Sequence, residues 1–281
     1  MMKKISVCIL VLLMGVCLFA CYKKPDLKGV EQKTIVVNKI IEKDGAWECA
    51  QGLGYDGTYF YYAGHNDKIK EQADVHVINA ATGKEEKCFS RKGALHSAEV
   101  AVNKLRNTLT TCSGGDGRRP YLFELDITTG EKINEWYFDG MGENGGGLHC
   151  FTEDGTLIFF TSSKDGAKIA FDVITLNYDG SGAYTIKESY SFSRTDLGVP
   201  QGLDYYNGCL YYLADAGRTV DKNPHYIYKI SLKDGSVNLD CAYSFDFKEE
   251  TEGLCVNDDG TVYMGAANEC IYQFEKKVFE W

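Results

Sequence analysis

A repeated arrangement of strand and turn signals constrains this chain more than anything else in it. Three copies are close: Gln51-Gly52-Leu53 with Tyr55-Asp56-Gly57 and Tyr59-Phe60-Tyr61-Tyr62; Gln201-Gly202-Leu203 with Tyr206-Asn207-Gly208 and Leu210-Tyr211-Tyr212; and Glu252-Gly253-Leu254 with Asp258-Asp259-Gly260 and Val262-Tyr263-Met264. Two looser copies lie between them. One opens at His96-Ser97 and runs to Thr108-Leu109-Thr110. The other opens at Gly147-Leu148 and passes Glu153-Asp154-Gly155 into Leu157-Ile158-Phe159-Phe160. Successive openings lie 45 to 54 residues apart. Internal periods of this size mark repeat architectures, in which each unit buries its apolar face against the next.

Asp-Gly and Asn-Gly between alternating apolar runs supply the positive φ that tight hairpins demand. A second hairpin per unit shows at Thr82-Gly83, Thr129-Gly130 and Asp234-Gly235, each preceded by a β-branched or aromatic run. Four strands per unit predict an all-β, five-bladed β-propeller of four-stranded antiparallel blades. The orphan run 34–41 is expected to close the ring by pairing with the last blade, which would leave no free sheet edge there. Six blades are the alternative, if the insert 181–189 hides a further strand. With 281 residues and 44% apolar composition, the chain has enough material for a core.

The N-terminus carries a different signal. Lys3 and Lys4 precede an unbroken apolar run, 5–16, too short to span a bilayer and flanked as secretory signals are. The following Leu18-Phe19-Ala20-Cys21 resembles the lipobox of bacterial lipoproteins, with Phe19 bulkier than usual, as in some spirochaete members. That resemblance implies a signal peptide over 1–20, a lipidated Cys21, a tether to residue 32 and a propeller domain over 33–281. It also implies a membrane partner through the lipid and an extracytoplasmic location. The outer membrane or cell surface is favoured over the inner membrane, because Tyr22 is not the aspartate that retains many enterobacterial lipoproteins. Eight of the eleven cysteines would remain in the mature domain besides Cys21. They show no C-x-x-C spacing, and buried free thiols are the expected state. The net charge of −10 argues against a nucleic-acid partner, since phosphate contacts want cations.

Propeller geometry puts the residues that enter each inner strand, and the loops between second and third strands, on one face of the disc. Gathered there, the polar collar is Gln51, His65, Asp67, His96, Glu99, Asp116, His149, Gln201, Asp215, Arg218, Glu252 and Asn268. His96 and Glu99 depart from the repeat and are the best candidates for an ionisable functional pair. The opposite face offers turn residues explained by backbone geometry.

In general plan, over residues 33 to 275, the Gln-Gly-Leu and Asp-Gly pattern is similar to bacterial helveticin-like and YncE-like propellers. Glutaminyl cyclases share a Gln-Gly-Leu, but their Asn-Glu-Leu-Glu is not reproduced at Glu250-Thr251-Glu252. No phosphate loop, calcium loop, zinc-protease helix or serine elbow is present. The sequence therefore predicts a binding module that engages a protein, peptide or glycan through the collar, with no resident cofactor or metal. The runner-up is a lactonase-like or cyclase-like hydrolase or lyase using His96 and Glu99, with a divalent cation in the channel.

Overall fold

The computed structural model describes residues 24–42, 50–65, 72–92, 99–113, 121–138, 147–162, 169–192, 196–216 and 223–275. Among them are 21 strands and no helix. Two short strands come first, β1 (Glu31–Thr34) and β2 (Val37–Ile41). The first blade is β3 (Ala50–Tyr55), β4 (Tyr59–His65), β5 (Gln72–Asn79) and β6 (Glu85–Lys92). The second is β7 (Glu99–Asn103), β8 (Thr108–Ser113), β9 (Tyr121–Asp126) and β10 (Lys132–Tyr137). The third is β11 (His149–Phe151), β12 (Leu157–Ser162), β13 (Ile169–Leu176) and β14 (Tyr184–Phe192). The fourth is β15 (Val199–Tyr206), β16 (Cys209–Asp215), β17 (His225–Lys233) and β18 (Ser236–Phe245). The fifth is β19 (Thr251–Val256), β20 (Val262–Ala266) and β21 (Ile271–Phe274).

The turns form for the reasons their residues suggest. Asn207-Gly208 and Asp234-Gly235 both have positive φ at the two central positions, the geometry that suits the twist of flanking strands. The Asp56 carboxylate accepts the Thr58 and Tyr59 N–H groups at 2.7 Å and fixes the first hairpin.

Closure uses the N-terminus twice. β2 pairs antiparallel with β21, Val37 opposite Phe274 and Ile41 opposite Ile271, and completes the fifth blade. β1 pairs parallel with β18, Glu31 opposite Cys241, and adds a fifth strand to the fourth blade. The expected single closing strand over 34–41 is thus divided at Ile35-Val36, where Ile35 turns into the core between the two blades. The stretch 24–32, expected as a tether, is also docked. Pro25 and Leu27 are buried, Leu27 lies in the core between the third and fourth blades, and the Asp26 N–H donates to the Asp196 carboxylate at 2.6 Å. The packed unit therefore includes residues from 24 onward rather than from 33. The insert 181–189 that could have signalled a sixth blade is the turn into β14 and the first part of that strand, the outer strand of the third blade.

Five apolar clusters hold the disc, one at each interface between neighbouring blades. Aromatic residues recur in each of them: Trp136, Phe138 and Phe159 between the second and third blades, and Tyr243, Phe245 and Phe274 between the fourth and fifth. All seven described cysteines are free thiols, five of them buried.

Candidate functional site

The five inner strands converge on the axis, and the repeated glycine lets them do so. A Cβ on Gly52 would stand 2.6 Å from the Glu99 Cα, one on Gly202 2.6 Å from the Leu254 nitrogen, and one on Gly253 2.3 Å from the Leu53 nitrogen. Backbone meets backbone at these points, so no side chain can yield. Glu99 occupies the corresponding place in the second blade, one residue before Val100, as Gly52 precedes Leu53. Its side chain is fully buried. The carboxyl accepts the N–H groups of Val100 and Leu203 at 3.1 Å, and that of Leu53 as well, so it ties the first, second and fourth blades across the axis. Burial raises its pKa well above the usual carboxylate range; the N–H donors oppose that without overcoming it.

Most of the other described collar residues are also engaged in joining blades or bracing their own. Gln51 donates to Glu252 at 3.3 Å, linking the first and fifth blades. Gln201 donates to Asp215 at 3.1 Å and to Glu250 at 3.2 Å. Asp215, expected on a loop, is the fully buried end of β16. It accepts the Thr251 hydroxyl at 2.6 Å and lies 2.7 Å from His225 Nδ1. His149 is fully buried: its Nδ1–H donates to the Gly147 carbonyl at 3.1 Å, which leaves Nε2 to accept the Thr110 hydroxyl at 2.8 Å. Desolvation lowers its pKa to about 4 and keeps the ring neutral. Asn268 caps a turn, with its amide on the Tyr272 hydroxyl at 2.8 Å. The expectation of a wet, ionisable rim at Glu99, His149 and Asp215 is corrected by this burial: the groups satisfy backbone and side-chain partners that converging sheets would otherwise strand. His65 ends β4 by pairing with Ala73. Asp67, His96, Asp116, Arg218 and Cys21 lie outside the described residues.

One cavity among the described residues opens on the opposite face, among the hairpin turns. It has a volume of about 280 Å³ and is lined by the ends of all five inner strands. Leu53, Val100, Leu203 and Leu254 line its depth, Tyr55, Tyr205 and Tyr206 stand in its walls, and Lys104, Glu153 and Asp258 reach it from the turns. Asp204 is the carboxyl within it. One oxygen accepts the Tyr205 N–H at 2.8 Å and the other the Val256 N–H of the fifth blade at 2.6 Å. The group is ringed by protein yet keeps partial solvent exposure, as expected deep in a depression. Burial pushes its pKa up to about 7, against the pull of the two N–H donors and of Lys104. It can therefore exchange a proton near neutrality. At the rim, Lys104 pairs with Asp258, and the Asn207 N–H donates to Glu153 at 3.0 Å.

Sequence reasoning passed over Asp204, although a signal was there. In the positions following Leu53 and Leu254 the repeat has Gly54 and Cys255, and the fourth blade alone of these three places a carboxyl there. Departure from the repeat had singled out Glu99; the same criterion finds Asp204.

No protein-family profile and no curated protein matches the chain. Solved structures share its fold. It is similar to an exo-β-1,3-galactanase from Phanerochaete chrysosporium, with TM-score 0.55 and 12% identity over 86% of this chain and 64% of that one. It is also similar to a GH43 β-1,3-galactosidase with galactodeoxynojirimycin, with TM-score 0.51 and 12% identity over 84% and 93%. A third is a tail fibre of Staphylococcus aureus phage P68, with TM-score 0.51 and 14% identity over 88% and 55%. The chain thus spans less than two thirds of the galactanase and of the tail fibre. At these identities the likeness establishes the propeller fold, and propellers carry many functions.

Proposed function

We propose that this chain is an envelope-anchored binding protein that takes a small cationic group, such as an amine of a peptide, in the turn-face mouth of its channel. The observation that carries the reading is the 280 Å³ cavity with Asp204 within it, tyrosines in its walls and Glu153 and Asp258 at its rim. Carboxylates attract a cation electrostatically, and aromatic faces favour it further. Lys104 is the only cation lining the cavity among the described residues, and it is paired with Asp258. Calorimetric titration with simple amines and amine-bearing peptides tests this: binding is expected for the parent protein and weakened at least about tenfold in Asp204→Asn, the loss of one charge-assisted contact. Equal affinity in both would overturn it. The anchor rests on Lys3, Lys4, the apolar run and Cys21. Labelled palmitate should enter the protein and fail to enter Cys21→Ser.

A glycoside-hydrolase reading is second. It is favoured by Asp204, whose proton is exchangeable near neutrality, and by likeness to galactan-cleaving propellers. Glu99, enclosed by three backbone N–H donors, is an unsuitable partner for a substrate, which weakens the His96–Glu99 pair as a catalytic centre. Turnover of aryl β-galactosides that vanishes in Asp204→Asn would move the assignment to this reading.

A further inference from the structure

We infer that His76, Glu85 and Cys88 on the outer hairpin of the first blade form a binding site for a divalent transition metal, zinc by the character of the donors. One ligand atom from each residue lies within 4.8 Å of the other two. In sequence the three look unrelated, since eight residues separate His76 from Glu85 and no cysteine pair is involved. The hairpin brings them together. His76 on β5 stands directly opposite Cys88 on β6, so both side chains project from one face of the sheet.

Glu85 joins them through a β-bulge. The register shifts between Val77 and Ile78, with Val77 opposite Lys87 and Ile78 opposite Glu85, so Glu86 is the extra residue. Without that shift Ile78 would face Glu86 and Glu85 would point to the other side of the sheet. The bulge re-aims Glu85 towards the face that carries His76 and Cys88. Its Oε2 lies 2.9 Å from His76 Nδ1. A tetrahedral zinc with bonds of about 2.0 to 2.3 Å has ligand–ligand edges of roughly 3.3 to 3.8 Å. Small side-chain rotations within the 4.8 Å cluster reach that spacing.

Burial is graded in a useful way. His76 is buried and held in place by the neighbouring strands, Glu85 is half-buried and Cys88 is exposed, which provides an access path for the ion. The donor set is one nitrogen, one carboxylate oxygen and one sulfur. Calcium and magnesium prefer all-oxygen sites, whereas this mixture suits zinc and its neighbours. Three protein donors leave a fourth position for water or a partner's side chain. Binding would release the Cys88 proton to solvent as the thiolate bonds the metal, so charge balances without an oxidant or reductant. The site lies on the outer strands, away from the channel, and stands independently of the function proposed above.

The test is zinc titration of the full-length chain after chelator treatment, in competition with a chromogenic chelator. One zinc per chain is expected at micromolar affinity or better, with affinity lowered about 100-fold by Cys88→Ser or His76→Ala. Cobalt should give a thiolate charge-transfer band that Cys88→Ser abolishes. Because removing the buried His76 side chain costs stability as well as a ligand, the exposed Cys88→Ser variant is the decisive one; thermal melts establish that it folds. No stoichiometric zinc binding, or binding and cobalt spectrum unchanged in Cys88→Ser, would overturn the site.

Discussion

The two ends of the channel are built from the same five strands and do opposite things with their polar groups. At the end where the chain enters each inner strand, Gln51, Glu252, Gln201, Asp215 and His149 are tied to one another, to Thr251 and Thr110, and to the backbone. At the hairpin end the strands splay into a cavity, and Asp204 lines it. Polar side chains clustered around a propeller axis are therefore not, by themselves, a site. Where strands converge they replace the sheet partners that the inner edges lack, and the cavity lined by Asp204 lies where the strands diverge.

The sharpest way to break this contrast is to disturb convergence. Gly253 combines φ of +86° with crowding that would put an added Cβ 2.3 Å from the Leu53 nitrogen, while at Gly57, with φ +99° in a hairpin turn, an added Cβ would meet nothing within 4 Å. Gly253→Ala should lose at least about 3 kcal/mol, or fail to fold, because overpacking adds to the left-handed backbone penalty. Gly57→Ala should lose only about 1 to 2 kcal/mol. Urea denaturation of both checks it; equal losses would show that conformation and not crowding sets the glycine requirement on the axis.

Next in size is the axial carboxyl. Glu99→Ala removes the acceptor of three N–H groups in a dry setting and should cost about 2 to 5 kcal/mol, since each stranded donor costs about 1 to 3 and such losses do not add fully. The sequence alone marks His96 and Glu99 as an ionisable functional pair on the collar face rather than as structural groups. For Glu99 the burial reverses that expectation. The reason it was misread is instructive. The repeat, the blade count, the closing role of the N-terminus and the glycine spacing are all local patterns, and all were legible. Whether Glu99 faces water depends on how near Leu203 comes from 104 positions away, and no local pattern reports that distance. Asp204 was legible as a departure from the repeat, but the cavity it lines was not, because that cavity is formed by five strands separated in sequence.

The two ends should also titrate in opposite senses over one pH window. The folded-state pKa of Asp204 is raised to about 7, so its contribution is fully present below the unfolded aspartate value near 4 and is lost as pH rises towards 7. His149 is depressed to about 4, so its contribution is present above the unfolded histidine value near 6.5 and is lost as pH falls towards 4. At about 1.4 kcal/mol per pH unit, the ranges are worth up to about 4 kcal/mol for Asp204 and about 3 kcal/mol for His149. Unfolding free energies measured from pH 4 to 8 should therefore rise more steeply with pH in Asp204→Asn than in the parent, and less steeply in His149→Gln. The same change of slope in both variants would break the comparison.

The smallest effect on stability separates rim from wall. Lys104 and Asp258 form an ion pair whose side chains are 42% and 81% exposed, and exposed pairs contribute roughly 0 to 1 kcal/mol. Lys104→Ala should therefore leave the urea midpoint almost unchanged. Its effect on the cavity should be larger than its effect on folding, because it frees Asp258 and removes the positive charge that opposes a cationic ligand at a mouth also lined by Asp204 and Glu153. Affinity for an amine should rise two- to fivefold at low ionic strength, and the gain should shrink with added salt as screening shortens the reach of these charges. An unchanged or lower amine affinity would mean that the charges at this rim do not act on the ligand, and would overturn the cationic reading of the mouth.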